Sequence, residues 1–239
     1  MIVVSLTSWT KRIHNVKRVV ESIMKNTLPP DRVYLNLSKT EFEGIELPKD
    51  LVDYFNSDKR LIINWVDGPN TKAMKKIFPI LGYLKDDDII IDADDDILFP
   101  KNLIESRVSD FNRLGKNCCI SSNPRRSVGF NGKMVVVSAM SLFQKKMLKH
   151  WEKFLTPGIL STNNDDRTYL HLIWLNGYLS KGCTSYKIQD LLVTHDMKLE
   201  HSLSSTKTIK SGMIYDRIAQ REFNKIANKE IINAFGFWK

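Results

Sequence analysis

Four carboxylates fall within five residues in Asp92-Ala93-Asp94-Asp95-Asp96, at the end of the apolar run Ile89-Ile90-Ile91 and ahead of Ile97-Leu98-Phe99-Pro100. Such a stretch reads as the carboxyl end of a buried strand, and in open α/β sheets that edge is where ligands bind. Carboxylates packed this closely repel one another, so without compensation some must keep their protons or splay apart. A divalent cation removes the conflict. Mg²⁺ or Mn²⁺ is commonly held by one or two carboxylates together with the phosphate oxygens of a substrate. The neighbouring run Asp86-Asp87-Asp88 has no apolar strand feeding it and reads as a solvated surface loop.

The elements that must present the acidic run follow from the hydrophobic pattern. Ile2 to Leu6 reads as a first strand. Val16, Val19, Val20 and Ile23 recur at i, i+3, i+4 and i+7, marking one face of a helix that ends before Pro29-Pro30. Val33 to Leu37 and Leu61 to Trp65 are further strands, Pro48 to Phe55 a short helix, and Lys72 to Leu84 a helix with Met74, Ile77, Phe78 and Leu81 on one side. Ile89 to Ile91 is the fourth strand. Beyond Pro100 the pattern predicts helices over Asn102–Leu114 and Asp165–Leu175, and strands over Cys118–Ser121, Met134–Val137 and Ser185–Val193. Alternating strands and helices of this kind make a single Rossmann-like α/β domain with a mixed, mostly parallel sheet. The expected division is a domain over residues 1–211, with halves 1–100 and 101–211, followed by a C-terminal helical extension over 212–239.

Composition sets outer limits. With 239 residues, 42% of them hydrophobic and 26% charged, the chain can bury one substantial core. No run of eighteen apolar residues occurs, so no membrane span is expected. The opening Met1-Ile2-Val3-Val4-Ser5-Leu6 reads as a strand rather than a secretory leader. Cys118, Cys119 and Cys183 make an odd count, the first two adjacent in an apolar stretch, which suits buried thiols in a reducing, cytoplasmic compartment. The net charge of +9 favours anionic partners. Charge alone admits nucleotide diphosphates, phosphorylated glycans, anionic lipid and nucleic acid.

A strand ending in Asp-x-Asp and followed by an apolar, apolar, aromatic, Pro turn resembles the metal motif of A-fold glycosyltransferases, especially the bacterial family 2-like enzymes that build surface polysaccharides. The resemblance extends to Val4-Ser5-Leu6-Thr7-Ser8-Trp9, Leu35-Asn36-Leu37-Ser38-Lys39 and Asp67-Gly68-Pro69-Asn70-Thr71-Lys72, and covers mainly the first hundred residues. It implies an A-type fold that moves a sugar, with inversion, from a nucleotide-diphosphate donor such as a UDP-sugar to a glycan or lipid-linked glycan acceptor. Residues 1–100 become the nucleotide-sugar half and 101–211 the acceptor half. By resemblance Asp94 approaches the donor ribose and metal, Asp96 holds the metal, and Asp67 accepts a hydrogen bond from the nucleobase. Asp95 blurs the register and stays a donor-side candidate. The loop after the first strand should line the nucleoside, with hydroxyls from Thr7 and Ser8, a flat face from Trp9 and charge from Arg12; Trp9 would serve equally as core packing. Of Lys72, Lys75 and Lys76, one should reach the base or diphosphate and the others should be solvated.

Transfer also needs a base for the acceptor hydroxyl. The paired acid at the start of the predicted helix, Asp165-Asp166, resembles the base of such enzymes, with Asp166 preferred; an acid there also serves as a helix cap. A late histidine often joins the metal or diphosphate in these transferases, which nominates His195 and His201. Rival readings fit less well. A haloacid-type phosphatase would carry its Asp-x-Asp on the first strand, and a sugar nucleotidyltransferase should open on a Gly-rich loop, whereas no glycine precedes Gly44. The alternative of a non-enzymatic nucleic-acid- or anion-binding protein explains +9, but the basic residues are dispersed and form no basic-aromatic platform, so no nucleic-acid partner is expected. The last predicted helix, Gly212 to Phe235, aligns Arg217, Arg221, Lys225 and Lys229 along one face. That row suits either solvated lysines on a helix packed against its own domain or peripheral contact with the inner face of a membrane.

Overall fold

The computed structural model describes residues 1–121, 140–161 and 165–182. Strand β1 (Ile2–Thr7) is buried along its centre, as suits a β-branched run in a parallel sheet covered on both faces. Helix α1 (Val16–Met24) buries Val16, Val19, Val20 and Ile23, the face its spacing predicts. Then come β2 (Arg32–Ser38), α2 (Lys49–Asn56), which buries Leu51 and Phe55, and β3 (Leu61–Val66).

Between β3 and the next strand the structure departs from the expected continuous helix. Two 3-10 segments, Lys72–Lys76 and Phe78–Tyr83, meet at Ile77, whose φ of −121° marks the break. Pro79 explains it. In an α-helix its ring would collide with the carbonyl of Lys75 and deny that carbonyl an N–H partner, and Phe78 before it is biased away from helical backbone. Strand β4 (Ile89–Ala93) follows, then α3 (Leu103–Arg113), β5 (Cys118–Ser121), β6 (Leu142–Gln144), α4 (Trp151–Phe154), α5 (Pro157–Ser161), α6 (Asp165–Leu175) and β7 (Leu179–Gly182). The expected strands at 134–137 and 185–193, the terminal helix over 212–239 and Cys183 lie outside the described residues.

The seven strands form one sheet in the order β3-β2-β1-β4-β6-β5-β7. All pairings are parallel except those of β6, which runs antiparallel to β4 and β5. A mixed, mostly parallel sheet is thus present, although the sequence pattern did not reveal β6, a strand only three residues long. The chain leaves β1 towards β2 and β3, then returns to add β4 on the other side of β1. That reversal makes β1/β4 a topological switch point, where loops diverge to opposite faces and leave a crevice at the strands' carboxyl ends. In this register Ser5 stands beside Asp92 and Leu6 beside Ala93, so the loop from Ser8 and the acidic loop from Asp94 leave the sheet side by side.

The core is continuous from Val4, Leu6, Leu35 and Ile91 to Phe143, Tyr169 and Leu172, and Cys118 and Cys119 sit in it as free thiols. Asp86 and Asp87 are exposed as expected, but Asp88 is buried: it accepts a hydrogen bond from the Lys85 N–H at 2.8 Å and closes the turn into β4. No helix among the described residues is long and apolar enough to cross a membrane. Since Ile91 is fully buried at the middle of the sheet, Ile91→Ala should cost about 2–5 kcal/mol in urea unfolding with little change in the slope. A loss below about 1 kcal/mol would show that the sheet is not packed as described.

Candidate active site

The four aspartates of the acidic run divide between two environments. Asp92 still belongs to β4 and points inward, with no exposure. One of its carboxyl oxygens accepts the Ser141 N–H and the other accepts the Tyr169 hydroxyl at 2.9 Å. Asp95 is also buried, accepting the Ser8 hydroxyl at 2.6 Å and pairing with the Arg12 guanidinium. Arg12 reaches Asp96 at 2.9 Å with its other terminal nitrogen. Asp94 pairs with Lys76 at 2.7 Å. Only Asp94 and Asp96 of the four keep appreciable exposure, 32% and 23%. The strand ends at Ala93, and beyond it the alternation that turned Asp92 inward no longer operates.

Lys76 makes a second ion pair, to Asp165 at 3.0 Å. Asp165 opens α6, and Tyr169 lies one helical turn further on, so both point from the same face of that helix towards the strand end. Two cations, Arg12 and Lys76, therefore pair with four carboxylates, Asp94, Asp95, Asp96 and Asp165, with a fifth, Asp92, buried behind them on Tyr169. Burial pushes Asp92 up to about 7, with Lys76 opposing the rise and Asp94 adding to it. Burial likewise pushes Asp95 up to about 6 against the pull of Arg12, and raises Asp96, where Asp94 adds to the effect. The crevice keeps an excess of negative charge after its own cations are counted.

That excess, and the oxygen-only donor set, fit a hard divalent cation. No group of three or more His, Cys, Asp or Glu suited to a metal occurs among the described residues. Asp94 and Asp96 are the two carboxylates of the run that keep exposure to the crevice.

The other candidates fall at varied distances from this cluster. Thr7 donates its hydroxyl to the Asn36 carbonyl at 2.7 Å, and Ser8 is committed to Asp95. Trp9 is half-buried, with the Lys11 ammonium 5.4 Å from its ring centroid, a cation–π arrangement. Asp67 is exposed at the end of β3 and pairs with Lys39 at 2.8 Å. Lys72 is exposed, with a φ of 51° and its main-chain N–H on the Asn70 side chain. The expectation of solvated lysines fails at Lys75, which is 2% exposed, its ammonium held by Glu41 at 3.2 Å and by the Asn70 side chain. Lys76 is buried too, turned to Asp94 and Asp165. The reason is the break at Pro79, which winds the segment as a 3-10 turn between Met74 and Ile77, both core residues. His195 and His201 lie outside the described residues, as does the side chain of Asp166.

Sequence reasoning missed Tyr169, Ser141 and the polar ladder under Lys76. The Lys76 carbonyl accepts the Ser5 hydroxyl at 2.5 Å and the Asn36 amide at 3.3 Å, and Asn36 accepts from Asn64 at 2.8 Å. A signal existed for Tyr169: it stands four residues after Asp165, a spacing that shares a helix face. None existed for Ser141.

No protein-family model matches the chain, and no curated protein matches it in sequence. Solved structures do. Residues 1–349 of S. aureus TarS with UDP align at a TM-score of 0.57 over 99% of this chain and 72% of that one, with 10% identity. The same protein with UDP-GlcNAc aligns at 0.57 over 99% and 73%, also with 10% identity. Francisella tularensis 2-C-methyl-D-erythritol 4-phosphate cytidylyltransferase aligns at 0.50 over 91% and 99%, with 11% identity. The fold is therefore the A-type, Rossmann-like fold, found in these neighbours both with a nucleotide sugar bound and in a cytidylyltransferase. At such identities the likeness is one of fold.

Asp92 carries a pH consequence. Its ordinary value is 3.8 and the folded protein raises it to about 7, so the unfolded chain loses that proton first. Stability should fall as pH rises from about 4 to about 7, with the penalty fully present above. Asp92→Asn keeps the shape, and its amide can donate to the Tyr169 oxygen. It should exceed the wild type in stability at pH 8 by on the order of 2–4 kcal/mol and lose that advantage by pH 4, read by urea titration at both. An advantage equal at the two pH values would exonerate Asp92.

Proposed function

We propose that the chain is a metal-dependent glycosyltransferase that moves a sugar from a nucleotide-diphosphate donor, a UDP-sugar, to a glycan or lipid-linked glycan acceptor in surface polysaccharide synthesis, with inversion. The observation that carries the reading is the meeting, at the β1/β4 switch point, of the half-exposed pair Asp94 and Asp96 with Asp165 from the other half of the chain. Donor-side acids and a separate acid from a following helix are the two things a single displacement needs. The fold supports the donor class, since TarS was solved with UDP and with UDP-GlcNAc.

In this reading Asp94 and Asp96 would hold Mn²⁺ or Mg²⁺, with His195 or His201 as further candidates. The cation would neutralise charge on the departing diphosphate. Arg12 orients Asp96 and shields Asp95 from it. Trp9 would stack on the nucleoside, with Thr7 and Ser8 shaping the loop that carries it. Asp67 and Lys72 are exposed at the β3 end, where a nucleobase would lie. Asp165, or Asp166 next to it, accepts the proton of the acceptor hydroxyl as the new glycosidic bond forms and the bond to the diphosphate breaks. The basic helix expected over 212–239 would then touch the inner face of a membrane, where a lipid-linked acceptor is presented.

The cytidylyltransferase neighbour makes nucleotidyl transfer the competing activity. Against it, the loop after β1 is Ser8-Trp9-Thr10-Lys11-Arg12, without glycine, and its arginine is tied to Asp95 and Asp96.

The test is a thermal-shift and turnover panel. UDP, GDP or CDP at about 100 times its dissociation constant should stabilise by about 2.7 kcal/mol, a rise in Tm of about 5–10 °C, in the presence of Mn²⁺. Mn²⁺ alone should do far less, because two carboxylates already shared with cations leave most of its coordination unfilled. Release of UDP from UDP-sugars supports transfer; pyrophosphate release from CTP with no nucleotide-sugar turnover would replace it with the cytidylyl reaction. Asp96→Ala should abolish turnover while unfolding at the wild-type temperature. Of Asp165→Asn and Asp166→Asn, the variant of the true base should lose about 10²–10⁴ in kcat and still bind UDP.

A further inference from the structure

Lys76 is held at both ends by different parts of the molecule. Its main chain is fastened under the sheet's carboxyl edge, where its carbonyl accepts from Ser5 on β1 and Asn36 on β2, and Asn36 is braced by Asn64 on β3. Its ammonium crosses to Asp94 at 2.7 Å and Asp165 at 3.0 Å, with the side chain 8% exposed. A polar ladder thus runs across β3, β2 and β1 and ends on a single charge shared by the acidic loop and the first residue of α6.

Burying an ammonium is costly, and an apolar side chain filling the same space usually serves stability as well or better. What an apolar residue cannot do is hold two carboxylates from different elements in fixed relation. Helix α6 already has a second anchor, the Tyr169 hydroxyl on Asp92, but both side chains are wholly buried and neither is exposed to a ligand in the crevice. The Lys76 bridge differs, because Asp94 faces the crevice and any ligand engaging Asp94 must share it with the ammonium.

The geometry points to Lys76 as a positioning residue that couples the donor-side carboxylate Asp94 to the acceptor-side carboxylate Asp165, so that occupancy of the β1/β4 crevice is felt at the start of α6. The roles of the two carboxylates rest on the transferase reading above; the mechanical link does not. Lys76 itself acts through the acids it holds rather than on the substrate.

Amide hydrogen exchange by mass spectrometry on the full chain tests this, using wild type, Lys76→Met, Lys76→Arg and, as a control, Tyr169→Phe. Without ligand, K76M should raise exchange in the first turns of α6 by about 5–100-fold as its ion pair to Asp165 is lost, while β1 and β4 peptides stay unchanged. K76R should restore most of the protection. Adding UDP with Mn²⁺ should change exchange at that turn in wild type and Y169F but not in K76M, even though K76M still binds UDP by thermal shift. In sugar transfer, K76M should lose about 100-fold in kcat with donor KM within about threefold, and K76R should recover it. Unchanged α6 exchange in K76M, or a ligand response that persists there, overturns the coupling. Should K76M fail to fold, Asp165→Asn removes the same ion pair from the helix side and must loosen α6 by a similar factor, or the proposal falls. If UDP with Mn²⁺ does not bind the wild type, the transferase reading fails, and the link is then decided by the ligand-free comparison alone.

Discussion

Five carboxyl groups converge on a crevice that contributes two cations of its own, and most of what is distinctive in this molecule answers that imbalance. Arg12 arrives from the loop after β1 and Lys76 from the segment before β4, so each flank of the acidic loop has one positive charge. The inner acids are handled differently from the outer ones. Asp92 and Asp95 are buried and raised towards neutrality, with hydrogen bonds from Tyr169, Ser141 and Ser8 fixing their geometry. Asp94 and Asp96 keep their contact with the crevice. The hydrogen bonds and ion pairs thus fix the inner acids while the outer two stay accessible.

The sheet topology makes that arrangement possible. Because the chain reverses direction of growth between β1 and β4, the loops carrying Arg12 and Asp94–Asp96 emerge next to each other and are free of crossover helices. Pro79 then matters for a reason remote from its own surroundings. By preventing a regular helix over 72–84 it lets two consecutive lysines turn inward, one to Glu41 and Asn70, the other to the strand end.

Preservation of the fold at about a tenth identity with TarS and with the cytidylyltransferase is what packing physics leads one to expect. A sheet of this kind needs only apolar residues of suitable volume at its inward positions, and many sequences supply them. Chemistry is decided instead by a few side chains in the loops at the strands' carboxyl ends, which is why one fold serves both a UDP-GlcNAc-binding protein and a cytidylyltransferase.

The first hundred residues were largely legible in the sequence because their determinants are local. The faces of α1 and α2 follow from residue spacing, β1 to β4 from β-branched runs, and the acidic strand end from its apolar brackets. The pairing of Asp165 with the strand end was legible only as a candidate acid at a helix start. What the tertiary structure alone decided is which aspartate turns inward, that Lys75 and Lys76 are buried, that β6 enters antiparallel between β4 and β5, and that Tyr169 and Ser141 secure Asp92. Those outcomes rest on contacts between separate segments, 34 positions apart for Lys75 and Glu41 and 77 for Tyr169 and Asp92, or on where a strand stops. Local periodicity records which face of an element is apolar; the partner it meets, and the charge a buried group must therefore carry, are settled only when distant segments compete for the same space.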